Sequence, residues 1–203
     1  MSRPLITEGK RLITGAEACK LKPYQGSADP AHVWTIGWGH VIKAFEKYLM
    51  AGITQAKADE IFQNDLDSHV KFIQSDIGSK VALDDYEYAA CASFAFNNGA
   101  RVFTVAPSIV NNLRAGKRAE AFINFYKFCK SGEPLVYRDG LMYRRLVESI
   151  LALDKKLVVK PHECVGARKL IADLSKHGNT SELLSFFNSH HRKDLCVTCK
   201  SKH

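Results

Sequence analysis

Between Glu17 and His40 the chain reads EACKLKPYQGSADPAHVWTIGWGH, a short stretch with two carboxylates, Glu17 and Asp29, and a hydroxyl, Thr35. Cleavage of a glycosidic bond uses two carboxyl groups in opposite protonation states. One donates a proton to the leaving oxygen. The other, ionised, activates water or stabilises an oxocarbenium-like centre. The two groups need different environments, because the environment separates their pKa values. Glu17 falls near the end of a helical pattern and Asp29 in a turn region, so a helix–sheet junction would supply that difference. On spacing alone, a Glu and an Asp in such a region are usually solvated surface charges. The elements that hold them therefore decide whether they can work together.

Residues 1–23 read as a short amphipathic helix. Residues 24–41 change character, with glycines, a proline and the β-rich run VWTI, and predict strands and turns. From Ile53 onward the pattern is helical. Thr54 can cap a helix over 54–75 whose inner stripe is Ala58, Ile61, Phe62, Leu66, Val70 and Ile73. Asp84, with Glu87 three residues on, caps LDDYEYAACASFAFNNG, which ends at Gly99 and whose Ala, Cys and Phe content predicts burial on nearly all sides. Further helices follow at about 107–114, 117–130 and 138–153, with Gly116 as a stop between the first two. Residues 1–154 thus form an α+β body, a small β-containing N-terminal lobe followed by a mainly helical lobe.

The 203 residues fit one domain plus a small appendage, and 46% apolar with 25% charged residues is a globular composition. No run approaches the roughly 18 apolar residues of a membrane-spanning helix. The start of the chain, with Glu8 and Glu17, lacks the apolar core of a secretory signal. Gly37 and Gly39 flank Trp38 and suit tight turns; nothing after them resembles a nucleotide-binding loop. Cys19, Cys91 and Cys129 sit in apolar or helical contexts and read as small buried hydrophobes.

After Asp154 the composition shifts. Residues 155–203 hold 10 Lys and Arg against 4 Asp and Glu, a net +6 of the chain's +8. Two short helical segments are expected near 166–176 and 180–189. The charge points to a polyanionic partner, whether nucleic acid, an anionic wall polymer or a membrane surface, or else to a solvated extension that aids solubility. Cys196 and Cys199 have the two-ligand spacing of a zinc knuckle. His203 follows, and Cys164 or His162 could complete a structural zinc site. Free thiols and a disulfide remain open alternatives to zinc.

In order along the chain, these features resemble the phage-type lysozymes, the endolysins of T-even and lambdoid phages (glycoside hydrolase family 24). Glu17, Leu21 and Tyr24 match the first part of the family signature. Asp29-Pro30, Val33, Trp34, Thr35-Ile36-Gly37 and Gly39-His40 match the second. LDDYEYAACASFAFNNGARVF resembles the family's buried helix, and GLMYRRLVESIL its late Arg-Arg helix. The likeness spans about residues 10–154 and leaves out the tail. There are departures. The family's Gly after the catalytic Glu is Ala18. Three extra residues separate Tyr24 from Asp29, so counting from the Tyr puts Gly26 at the Asp position, while counting back from Thr35 puts Asp29 there. The longer Asp-to-Thr match favours Asp29, and some family members manage without this Asp.

The resemblance implies a monomeric endolysin. It would hydrolyse the β-1,4 bond between N-acetylmuramic acid and N-acetylglucosamine in peptidoglycan, with no cofactor required for catalysis. It would be made in the host cytoplasm without a signal peptide and reach the wall through a lesion opened by another protein. Glu17 is then the general acid, Asp29 the second carboxylate and Thr35 the third member of the active site. Tyr24, Trp34, Arg144 and Arg145 are candidates for binding substrate or orienting the acid. One arginine would pair with Glu17, and the other would be exposed. For Trp34 and Trp38, core packing is favoured over stacking on a sugar. Asn97 and Asn98 cap the buried helix or reach the cleft, with capping favoured for at least one. His40 is implied to be structural and paired with Asp65, which would raise the His pKa and lower the Asp pKa. Two alternatives stand beside hydrolysis: a lytic transglycosylase, which needs only the acid, and a non-catalytic wall-binding or nucleic-acid-binding protein.

Overall fold

The computed structural model describes residues 3–25, 33–131, 136–137, 139–154 and 172. The expectations for Asp29, Gly26 and the segment beyond residue 154 lie outside the described residues. Helix α1 (Thr7–Ala16) buries Gly9 and Ile13, four residues apart on one face, against the central helix α4 (Asp85–Asn98). A methyl added at Gly9 would lie 2.7 Å from the Ala89 Cβ. Gly9→Ala is therefore expected to cost ~1–3 kcal/mol through overpacking. Urea unfolding checks this, and an unchanged midpoint would contradict the close approach.

The helix ends at Ala16 rather than continuing to residue 23. Strand β1 (Lys20–Gln25) takes up the rest. The stretch from Lys20 is extended because it pairs with β2, and Pro23 suits a strand and not a helix interior. Strands β2 (Trp34–Gly37) and β3 (His40–Val41) complete an antiparallel sheet in the order β1-β2-β3. Tyr24 faces Thr35 across the β1–β2 pair, and Ile36 faces His40 across β2–β3. A 3-10 segment over Ala44–Ala51 follows. Its Leu49 closes a small core with Ile36 and Ile61.

Helix α2 (Gln55–Val70) starts as expected, with the Thr54 side chain accepting from the Lys57 N–H, a cap worth ~1 kcal/mol. The expected single helix over 54–75 is two. A break at Lys71 and Phe72 is followed by α3 (Ile73–Ile77), which keeps Ile73 and Ile77 in the core. At the start of α4, Asp84 accepts from the Tyr86 and Glu87 N–H groups while Glu87 reaches back, a full capping box. The helix stops at Gly99, whose φ of +99° suits glycine.

After a 3-10 turn at Val102–Val105 come α5 (Pro107–Arg114) and α6 (Arg118–Ile123), separated at Gly116 as expected. The helix anticipated over 117–130 turns into a 3-10 segment at Asn124–Phe128. Phe125 within it meets the Phe122 ring edge-on and stacks on Phe94 at 4.2 Å. An unanticipated hairpin of β4 (Lys130–Ser131) and β5 (Val136–Tyr137) precedes the last helix, α7 (Asp139–Asp154). The main core surrounds α4, which packs against α7, α1 and α2. Buried phenylalanines such as Phe94, Phe122 and Phe125 contribute ~1.5–3 kcal/mol each. The result is an α+β fold with a small sheet lobe and a helical lobe. Among the described residues no helix is long and apolar enough to cross a membrane.

Candidate active site

Glu17 is the residue at which α1 gives way to extended backbone, with φ −109° and ψ 123°, while its own N–H still bonds the Ile13 carbonyl. The helix end thus fixes where the side chain starts. Arg144 on α7 fixes where it finishes, because its Nη1 donates to Glu17 Oε1 at 2.7 Å. The carboxylate is 27% exposed and the guanidinium 7%. The other oxygen, Oε2, faces the β2–β3 turn, where a methyl added at Gly39 would lie 3.4 Å from it. Gly39 also has a φ of +92°, so both backbone and space call for glycine beside Glu17.

Behind Arg144 lies a buried charge network. Arg144 Nε is 3.4 Å from Glu148 Oε1, and its Nη2 donates to the Ser93 carbonyl at 3.4 Å. Arg145 is fully buried, with its Nε 3.0 Å from Glu148 Oε2 and its Nη2 donating to Glu148 Oε1 at 3.1 Å and to Asn97 Oδ1 at 2.9 Å. The expectation that one arginine of the pair would be solvent-exposed is therefore corrected. Glu148, itself 0% exposed, neutralises Arg145 and makes its burial tolerable. Burial lowers the Arg145 pKa, and the Glu148 carboxylate works against that shift. Ser93 Oγ donates to Glu148 Oε1 at 2.6 Å. Neither Ser93 nor Glu148 was singled out from sequence. The signal was present in RRLVE, where Glu148 follows Arg144 by four residues and Arg145 by three, both spacings that meet on one helix face. Asn98 donates back to the Phe94 carbonyl, so it serves the end of α4, while Asn97 serves Arg145.

On the sheet, cross-strand partners share a face, so Tyr24 and Thr35 point the same way. The Tyr24 pKa is raised, first by burial and then by the Glu17 carboxylate. Lys20 Nζ stands 4.1 Å from the centre of the Tyr24 ring. Trp34 is 43% exposed, which corrects the expectation that it packs in the core. The small core reaches Ile36 and stops short of the strand's start. Trp38 does pack inward, against Phe62, with its Nε1 donating to Asp59 Oδ1 at 2.9 Å. Among the cysteines, burial pushes Cys129 up to about 12 and Cys91 well above its ordinary value, so both thiols stay protonated and inert. Cys19, expected to be buried, is half-exposed. Among the described residues no group of three or more His, Cys, Asp and Glu is placed to hold a metal ion.

A family model described as phage lysozyme matches residues 14–148. The chain belongs to the phage lysozyme family. This lysozyme is a glycoside hydrolase that acts on peptidoglycan. Its fold is shared with the endolysin from Escherichia coli O157:H7 phage FAHEc1, at 23% identity and a TM-score of 0.68, covering 78% of this chain and 99% of that one. The muramidase domain of SpmX from Asticaccaulis excentricus aligns at 24% identity and a TM-score of 0.64, covering 75% and 99%. A P22 lysozyme mutant aligns at 27% identity and a TM-score of 0.58, also covering 75% and 99%. No curated protein sequence matches the chain.

Just after the Gly39 turn, the lysozyme's sheet is pinned to its helices by His40. The ring is buried, with Nδ1 2.9 Å from Asp65 Oδ2 on α2 and Nε2 3.0 Å from Glu46 Oε2 in the 3-10 segment. Glu46 is a second partner that the sequence did not reveal. The hydrogen bond to Asp65 raises the His40 pKa; burial opposes this, and both carboxylates outweigh it. For Glu46, desolvation acts upward, but the Lys43 N–H and His40 prevail and its pKa is lowered. The raised His40 pKa stabilises the fold fully below the ordinary histidine value of about 6.5, and this is lost as pH rises through the raised value. The Glu46 contribution is present above its ordinary value and lost as pH falls through the lowered one. His40→Asn is therefore expected to lower the melting temperature more at pH 6 than at pH 8.5. An equal loss at both pH values would contradict the clamp.

Proposed function

We propose that this lysozyme is an N-acetylmuramidase that hydrolyses the β-1,4 bond between N-acetylmuramic acid and N-acetylglucosamine, with Glu17 as the general acid. The observation that carries this reading is the Glu17 carboxyl at the helix–sheet junction, with one oxygen held at 2.7 Å by Arg144 and the other facing the Gly39 turn of the sheet. A partly exposed carboxyl with one oxygen fixed and the other beside a glycine turn has room to meet a glycosidic oxygen. Its proton goes to the leaving sugar, while Asp29 and Thr35 hold and activate the water that attacks from the other face of the ring. An inverting reaction of this kind needs the carboxyls about 6.5–9.5 Å apart. The exposed Trp34 offers a face on which a sugar can stack. The likeness to a muramidase domain and to an endolysin supports peptidoglycan glycan strands as the substrate. Clearing of outer-membrane-stripped cells by the wild type, and not by Glu17→Gln, tests the reading; equal clearing would overturn it.

Residues 1–154 form the catalytic unit, acting as a monomer. The basic segment 155–203 supplies attraction to an anionic wall polymer or membrane surface, not catalytic groups. Truncation after Asp154 is expected to leave hydrolysis of soluble peptidoglycan fragments within about twofold of the full chain, and to weaken sedimentation with whole walls at low salt. Loss of fragment hydrolysis by a truncated protein that still folds would contradict this division.

A further inference from the structure

Glu17, Arg144, Glu148 and Arg145 alternate in charge from the cleft inward, and their side-chain exposures are 27%, 7%, 0% and 0%. A general acid must carry its proton before it can donate it. In that state Glu17 is neutral and no longer holds Arg144 by charge, and a guanidinium so deeply set has little water to turn to. It then offers Arg144 only a neutral carbonyl oxygen, and the contacts that do not depend on its charge are those to Glu148 Oε1 and to the Ser93 carbonyl, both at 3.4 Å. The Glu148 carboxylate cannot swing away. Its Oε1 accepts from Ser93 Oγ at 2.6 Å and from Arg145 Nη2 at 3.1 Å, and its Oε2 lies 3.0 Å from Arg145 Nε.

We propose that Glu148, locked by Ser93, is a positioning residue that keeps Arg144 aimed at Glu17 through the part of the cycle in which the acid is protonated. When the proton passes to the leaving oxygen, the new Glu17 carboxylate meets a guanidinium already in place, so no reorganisation is needed as charge develops. Arg145 supplies the second positive charge that lets one buried carboxylate serve this role without leaving the network negative. Ser93 comes from the middle of α4 and Glu148 from α7, so the packing of the two central helices sets the geometry of a group in the cleft. The inference rests on Glu17 being the general acid.

The test is steady-state kinetics on soluble peptidoglycan fragments with the full chain, comparing wild type, Ser93→Ala, Glu148→Gln and Glu17→Gln, and the first two substitutions also in the Glu17→Gln background. Positioning acts on the transition state, so kcat is expected to fall roughly tenfold in Glu148→Gln and about threefold in Ser93→Ala, with KM within about twofold of wild type. Neither substitution should lower the residual rate of Glu17→Gln further, because both act through the acid. Ser93→Ala is nearly isosteric and changes no charge, so it decides the matter if Glu148→Gln does not fold. A Ser93→Ala enzyme with a lowered melting temperature but wild-type kcat would mean a purely structural role and overturn the proposal. A wild-type kcat in Glu17→Gln would overturn the acid assignment, and the positioning role with it.

Discussion

Glu17→Gln is expected to lower kcat on soluble peptidoglycan at least ~100-fold, the usual loss when a general acid is removed. Glutamine keeps the shape of the side chain and still offers an oxygen to Arg144 Nη1, so the junction of α1 and the sheet need not move. Arg144 keeps its contacts with Glu148 and the Ser93 carbonyl. The lost charge sits on a partly exposed carboxylate, and its removal should cost about 1 kcal/mol of stability or less. The signature is a folded protein with unimpaired glycan binding and a collapsed rate. Activity within about threefold of wild type would remove Glu17 from the chemistry.

Arg145→Met is expected to show the opposite pattern, a large loss of stability from a residue with no path to substrate. Methionine keeps an aliphatic chain of similar length but removes the guanidinium, whose carbon lies 5.0 Å from the centre of the Phe94 ring. It leaves the 0% exposed Glu148 without its closest countercharge. Breaking a buried pair from one side costs ~3–5 kcal/mol, a large share of the stability of a domain this size. Urea unfolding followed by circular dichroism measures it. The double variant Arg145→Met/Glu148→Gln supplies a sharper check. It removes the stranded charge and leaves Glu17 and Arg144 as a balanced pair, so it should be more stable than Arg145→Met alone. Losses that simply add would contradict a charge-balanced network.

Local chemistry made much of this fold legible in the sequence. Thr54, the Asp84–Glu87 box, Gly99 and Gly116 marked element ends because each satisfies or releases specific backbone groups there. The buried stripe from Ala58 to Ile73 followed from helical period. What depended on tertiary partners was harder to read. The end of α1 was hidden by a basic stretch whose strand character comes from pairing with β2. The 3-10 segments at Ala44–Ala51 and Asn124–Phe128 have no strong periodic signature, and Glu46 stayed unnoticed with the first of them. Trp34 looked as apolar as Ile36, but the small core covers only the latter. For the site, residue types alone gave two carboxylates near a turn. The resemblance singled out Glu17 and one arginine of the pair, and only the packing of α7 on α4 decides that Arg144 faces the cleft while Arg145 turns inward.

Hydrolysis of the muramic acid glycosidic bond with Glu17 as the acid leaves a distinctive product chemistry. Purified peptidoglycan digested by the wild type and by Glu17→Gln would be analysed by mass spectrometry before and after borohydride reduction. The wild type is expected to release muropeptides ending in reducible N-acetylmuramic acid, and the variant essentially none. Products ending in 1,6-anhydro-N-acetylmuramic acid, or equal release by both proteins, would contradict it.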